Sequence, residues 1–258
     1  MSTFKITLAY DGTDFVGWQR QASGTSIQGL LEDALRELDQ REVVVIGAGR
    51  TDAGVHALGQ AASFSLERVM TGEAIVNALN ARLPSAVRVV TADRMPDGFH
   101  ARFGARSKTY RYRIWNADVL SPFERRYAWH CAGALDRERM AASARLVEGR
   151  HDFRAFQAAG SAARSTEREV FASHVLAGSG AGDPALIMYE VRGSGFLRYM
   201  VRTIVGTLVE IGRGRRPIDW MRDVLAGRDR GHAGPTAPPQ GLVLVGVEYD
   251  ASLLAAEC

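Results

Sequence analysis

The sequence predicts an α+β fold built from two α/β halves on a mostly antiparallel sheet. Three observations carry that expectation. Short runs alternate apolar and polar residues with the period of a strand, as in Phe4, Ile6, Leu8 and Tyr10 against Lys5, Thr7 and Ala9. Helical spacing appears between such runs, most clearly in Ile27, Leu30, Leu31, Ala34, Leu35 and Leu38. The resulting order, β-α-β-β-α-β, recurs loosely in the second part of the chain as a repeat of element order without residue-level self-similarity.

Taken in order, the first strand ends in the turn chemistry of Asp11-Gly12. Thr25 with Gln28 three residues on resembles a capping box opening the first helix. Val43 to Ile46 reads as a buried strand broken by Gly47-Ala48-Gly49, and Gln60 to Leu66 as its return. A short helix near Glu73 to Arg82 and a strand over Val87 to Ala92 close the first half. The boundary falls near Ala105 to Ser107, dividing the chain into 1–106 and 107–258. Beyond it come a strand from Lys108 to Trp115, a helix from Arg137 to Val147, and strands near Glu169 to Leu176 and Leu186 to Val191. The strongest helix spans Phe196 to Ile211, and a Pro/Gly-rich loop from Gly231 to Gln240 leads into a last strand, Leu242 to Tyr249.

At 258 residues the chain can bury a core without disulfide or metal staples. Its composition, 46% hydrophobic and 24% charged, excludes a wholly disordered, collagenous or coiled-coil chain. Two cysteines give no disulfide framework, and no apolar run reaches the roughly 18 residues of a membrane span. Charges precede any apolar run near Met1, so no signal peptide is expected and a cytoplasmic location is. The net charge of +3 conceals two basic stretches. Seven basic residues face two acidic ones from His100 to Arg126, and eight face four from Arg198 to Arg230, as a phosphate-binding groove would require. Nearly all the cations are arginine, which fits either phosphate recognition or codon usage.

The densest candidate for chemistry is Gly47 to His56, where three glycines surround Arg50, Thr51 and Asp52. Glycines permit a positive φ and close approach of a ligand, and loops at strand ends carry reactive groups. An ordinary hairpin loop, with Asp52 bonding local amides, is the competing reading. The loop is not a dinucleotide fingerprint, since Asp52 occupies the place of the third glycine, and no Gly-Lys-Ser/Thr triplet of a phosphate loop occurs. Six scattered histidines with no H-x-x-x-H or C-x-x-C spacing argue against a metal site. Tyr110-Arg111-Tyr112-Arg113 puts tyrosines on one face of a strand and arginines on the other, suiting either base stacking beside phosphates or a core with a solvated face. On the apolar helix 196–211, Arg198 and Arg202 share a stripe, and a charge on so buried a helix needs an anionic partner unless it snorkels.

These residues together resemble the tRNA pseudouridine synthase A family over nearly the whole chain. The resemblance rests on segments 10–19 (YDGTDFVGWQ), 49–57 (GRTDAGVHA), 99–102 (FHAR), 108–112 (KTYRY), 151–153 (HDF), 196–206 (FLRYMVRTIVG) and 236–242 (TAPPQGL). Variation falls in loops such as 179–184. The resemblance implies two ferredoxin-like-related α/β halves sharing a central sheet, with the active-site cleft between them. It implies isomerisation of uridines in the tRNA anticodon stem-loop, at positions 38–40, with no metal or organic cofactor. By position it makes Asp52 the catalytic aspartate, Tyr110 the active-site tyrosine stacking on uracil, and Arg50 and Arg202 the cations that keep Asp52 ionised. Tyr110, Arg50, Arg102, Arg111 and Arg198 are the expected substrate-binding residues, and a homodimer with tRNA as partner is the expected assembly. A non-catalytic RNA-binding module on the same scaffold would be marked by loss of Asp52, Tyr110 or Arg202, all of which are present. A nucleotide-dependent metabolic enzyme would reveal itself by bound dinucleotide.

Overall fold

A computed structural model describes residues 1–158, 165–177 and 184–254. Of the loop expected to vary, 179–184, all but Pro184 lies outside the described residues. The chain is mixed α+β, and its strands are mostly antiparallel. It divides into two compact units: Met1–Lys108 with Leu244–Cys258, and Thr109–Val243.

The first unit follows the order read from the sequence. Strand β1 (Ser2–Tyr10) leads to helix α1 (Ile27–Asp39), then to β2 (Ile46–Gly47), β3 (His56–Leu66), α2 (Gly72–Asn80) and β4 (Val87–Met95). β1 lies between β3 and β4, antiparallel to both. Phe4, Ile6, Leu8 and Tyr10 point into the core, as the period of two requires. Helix α1 buries Ile27, Leu31, Ala34, Leu35 and Leu38, but its cap is Ser26, whose hydroxyl accepts from Gly29 N–H, and not Thr25. Gln28, the expected capping-box partner, turns elsewhere and donates to the Val45 carbonyl. That contact also explains 43–46: Val43 and Val45 are buried, yet ladder pairing begins at Ile46. The unit is completed by β10 (Leu242–Tyr249), α6 (Ala251–Leu254) and the start of β5 (Ala105–Trp115), in strand order β4-β1-β3-β10-β5.

The second unit continues β5 beside β9 (Leu186–Gly193), β8 (Glu167–Ala177) and β7 (Gly149–Asp152), with β6 (Trp129–His130) parallel to the end of β5. Helix α3 spans Arg137–Ala144, and a 3-10 turn carries the chain on through Val147. Helix α4 spans Met200–Gly212 and buries almost every residue in it, but it starts four residues later than the apolar spacing suggests. The reason is Tyr199, whose φ of 66° is left-handed and cannot continue a helix. Helix α5 (Trp220–Gly227) carries Met221, Val224 and Leu225 inward. Among the described residues no helix is long and apolar enough to cross a membrane.

Candidate active site

In the first unit, the loop 47–56 runs from β2 into β3 and is gripped by the segment 10–19. A Cβ on Gly47 would stand 2.4 Å from Trp18 Cε2, so the indole packs against the loop's first glycine. The Trp18 backbone N–H donates to the Thr51 carbonyl at 3.0 Å, and Tyr10 Oη lies 2.8 Å from Thr51 Oγ1. Gly17, at φ 104°, leaves a Cβ no space, since it would sit 2.6 Å from Thr51 O. Gly12 N–H donates to His56 Nδ1 at 3.0 Å, and a Cβ there would be 2.0 Å from Val55 O. Between these anchors Asp52 is half-buried, and its carbonyl accepts from Val55 N–H at 3.1 Å in a tight turn that uses Gly54 at φ 76°. Arg50 is exposed.

Sequence reasoning overlooked a second cation at this loop. A Cβ on Gly49 would lie 3.6 Å from Lys108 Cε and Nζ, so one of the two lysines of the chain reaches the residue before Arg50. Arg102 lies on a different turn of the same unit, exposed, with its guanidinium 5.8 Å from the Phe103 ring. His100 Nδ1 accepts from both Arg102 and Phe103 N–H, and Phe103 is largely exposed.

The second unit carries the remaining expected residues. Tyr110 is buried with its ring edge-on to Phe196, at 5.1 Å and 83°. Tyr112 is fully buried, and its hydroxyl donates to Pro238 O at 2.7 Å; burial raises its pKa far above the ordinary phenol value. The arginines of β5 point the other way and are ion-paired. Arg111 donates from Nε and Nη2 to Glu190 Oε2, at 3.0 and 2.7 Å, and Arg113 pairs with Glu124. Arg106, in the first unit, pairs with Asp250. Segment counting therefore overstates the local surplus of positive charge, because Arg106 and Arg111 find their carboxylates, Asp250 and Glu190, outside the stretch.

Arg202 Nε donates to Ala237 O at 2.7 Å, and its guanidinium lies 4.6 Å from the Tyr199 ring. Arg198, exposed, lies 4.8 Å from the same ring and donates to Tyr199 Oη. The left-handed Tyr199 thus gathers the two arginines of the predicted stripe on one aromatic ring. Segment 236–242 explains itself as a rack of carbonyls. Ala237 N–H donates to Arg202 O, Ala237 O holds Arg202 Nε, and Pro238 O holds the Tyr112 hydroxyl. Arg230 donates to Gly234 O and Thr236 Oγ1 and fixes the loop from behind. Asp152, in the segment 151–153, lies 3.4 Å from Arg228 Nε and accepts from Arg154 N–H. Among the described residues no group of three or more His, Cys, Asp or Glu could hold a metal ion.

The chain is thus an α+β protein with a half-buried aspartate on a glycine-rich loop in one unit, and a buried tyrosine and a carbonyl-held arginine in the other. A family model described as tRNA pseudouridine synthase matches residues 6–104 and 143–250. Relatives named tRNA pseudouridine synthase A are 46% identical in Syntrophotalea carbinolica and 47% in Myxococcus xanthus. Each match covers 96% of this chain and 97% and 92% of the relative, respectively. One in Geotalea uraniireducens is 44% identical over 96% of this chain and all of its own length. The chain belongs to the tRNA pseudouridine synthase family, whose members are isomerases.

Proposed function

We propose that the protein isomerises uridine to pseudouridine in the tRNA anticodon stem-loop, at positions 38–40, with Asp52 as its catalytic aspartate. The reaction breaks the N1–C1′ bond, forms C5–C1′, releases the C5 proton and protonates N1, so it needs no oxidant or reductant. Tyr110 stacks on the uracil, and Arg50 and Arg202 supply the positive charge that favours an ionised carboxylate. Arg102 and Arg198, both exposed, meet phosphates, as does Arg111 with the donors Glu190 leaves available. The assembly is a homodimer in the cytoplasm with tRNA as its partner, working without a small-molecule cofactor. The observation that carries this reading is the Asp52 loop, held by segment 10–19 in a chain of this family. Pseudouridine mapping of tRNA from cells lacking the protein tests it. Positions 38–40 should revert to uridine and recover when the gene is restored. Unchanged modification there, with loss at another site, would overturn the assignment of position.

A further inference from the structure

The inner face of β1 is Phe4, Ile6, Leu8 and Tyr10, and three of these four are hydrocarbon. Phenylalanine at position 10 would fill the same space without taking a hydroxyl out of water, so the hydroxyl needs a use. It lies 2.8 Å from Thr51 Oγ1, both residues being buried, and Thr51 immediately precedes Asp52. Burial pushes the Tyr10 phenol up to about 12, against the opposing effect of hydrogen bonds from Thr51 and Gln60. It is therefore a neutral hydroxyl at physiological pH, suited to holding a partner and unsuited to exchanging protons.

The sheet is built to bring it there. Leu8 pairs with Gln60 across β1 and β3, but Tyr10 pairs with Ala57, so Ala9 faces two residues of β3. The extra residue lies in β3, so Tyr10 stands beside Ala57, one residue nearer the Asp52 loop than Leu58, its partner in a regular ladder. From the same strand Gln60, fully buried, donates to Gly49 O at 2.8 Å. The loop is thus tied from the core at Gly49 and at Thr51, while Val55 N–H holds the carbonyl of Asp52 itself.

We propose that Tyr10, acting through the Thr51 hydroxyl, is a positioning residue that sets the place of the Asp52 carboxylate. The inference rests on Asp52 being the catalytic group. Misplacement of a reacting group by about 1 Å can cost on the order of a hundredfold in rate. Tyr10→Phe and Thr51→Val keep shape and remove the bond, whereas Thr51→Ser restores a hydroxyl. The assay is steady-state tritium release from tRNA carrying C5-labelled uridine, with thermal melting as a check on folding. Tyr10→Phe and Thr51→Val should each lower kcat by about tenfold to a hundredfold with KM for tRNA within about twofold. Thr51→Ser should recover most of kcat, and the double variant should be no worse than the poorer single one. A merely structural role would instead lower the melting temperature with kcat intact, and that result overturns the proposal, as do fully additive losses. If Tyr10→Phe fails to fold, the contrast of Thr51→Val with Thr51→Ser decides alone. No release from the wild-type protein would indict the assigned reaction, whereas release unaltered in the variants would indict the positioning role.

Discussion

Asp39, at the end of α1, shows how a single carboxylate is held ionised by its surroundings. Burial opposes its charge, but Arg68 N–H, the Arg41 guanidinium and Glu67 N–H outweigh that cost and hold its pKa below the usual carboxylate range. A depressed native pKa contributes stability above the unfolded value of about 3.9, and that stability is lost as pH falls through the native value. Asp39→Asn should therefore cost about 1–3 kcal/mol at pH 7 in urea unfolding, and the gap from wild type should begin to narrow only as the pH falls below about 3.9. A gap independent of pH would contradict the charge-based account. At this scale the sequence was only partly legible. Alternation correctly separated Tyr110 and Tyr112 from Arg111 and Arg113. It could not reveal that Glu190, 79 positions away, is the partner of Arg111.

Helix α4 and the loop after it behave as one element. A Cβ on Gly206 would stand 1.7 Å from Pro235 O, and Thr207 Oγ1 accepts from Gly234 N–H at 3.0 Å while donating to Thr203 O. The helix thus meets the loop backbone to backbone, and the same loop supplies Ala237 O to Arg202. Gly206→Ala must push the loop away, at about 1–3 kcal/mol for overpacking, and so should loosen Arg202 as well. The expected result is a lower melting temperature together with reduced tritium release at temperatures where the variant is folded. An unchanged melting temperature would show that the contact is not limiting. Strong periodicity made α4 and β10 legible, and β10 has the predicted bounds. The polar strand β7 has no apolar alternation to betray it. Helix α5 was legible in principle, since Met221, Val224 and Leu225 carry helical spacing, but its length of eight residues dilutes the signal among arginines.

Across the molecule, what the sequence alone could not supply was the pairing of distant motifs within each unit. Segment 10–19 is the scaffold of the Asp52 loop in the first unit, through Tyr10, Gly12, Gly17 and Trp18. Segment 236–242 is the scaffold of Arg202 and Tyr112 in the second. No side chain fits at Gly12 or Gly17 because neighbouring backbone crowds them, or at Gly47 because the Trp18 indole does, and none of these neighbours is legible from the sequence. Lys108, whose stem would contact a Cβ at Gly49, was read as part of a strand motif because nothing in its neighbours along the chain marks it. These scaffolds matter only if the carboxylate they serve does the chemistry. The direct measurement is tritium release from C5-labelled uridine in unmodified tRNA, comparing wild type with Asp52→Asn, a change that keeps the shape of the side chain and removes its charge. The account predicts release by the wild type and none by Asp52→Asn, with tRNA affinity and melting temperature retained. Release by Asp52→Asn at the wild-type rate would contradict it.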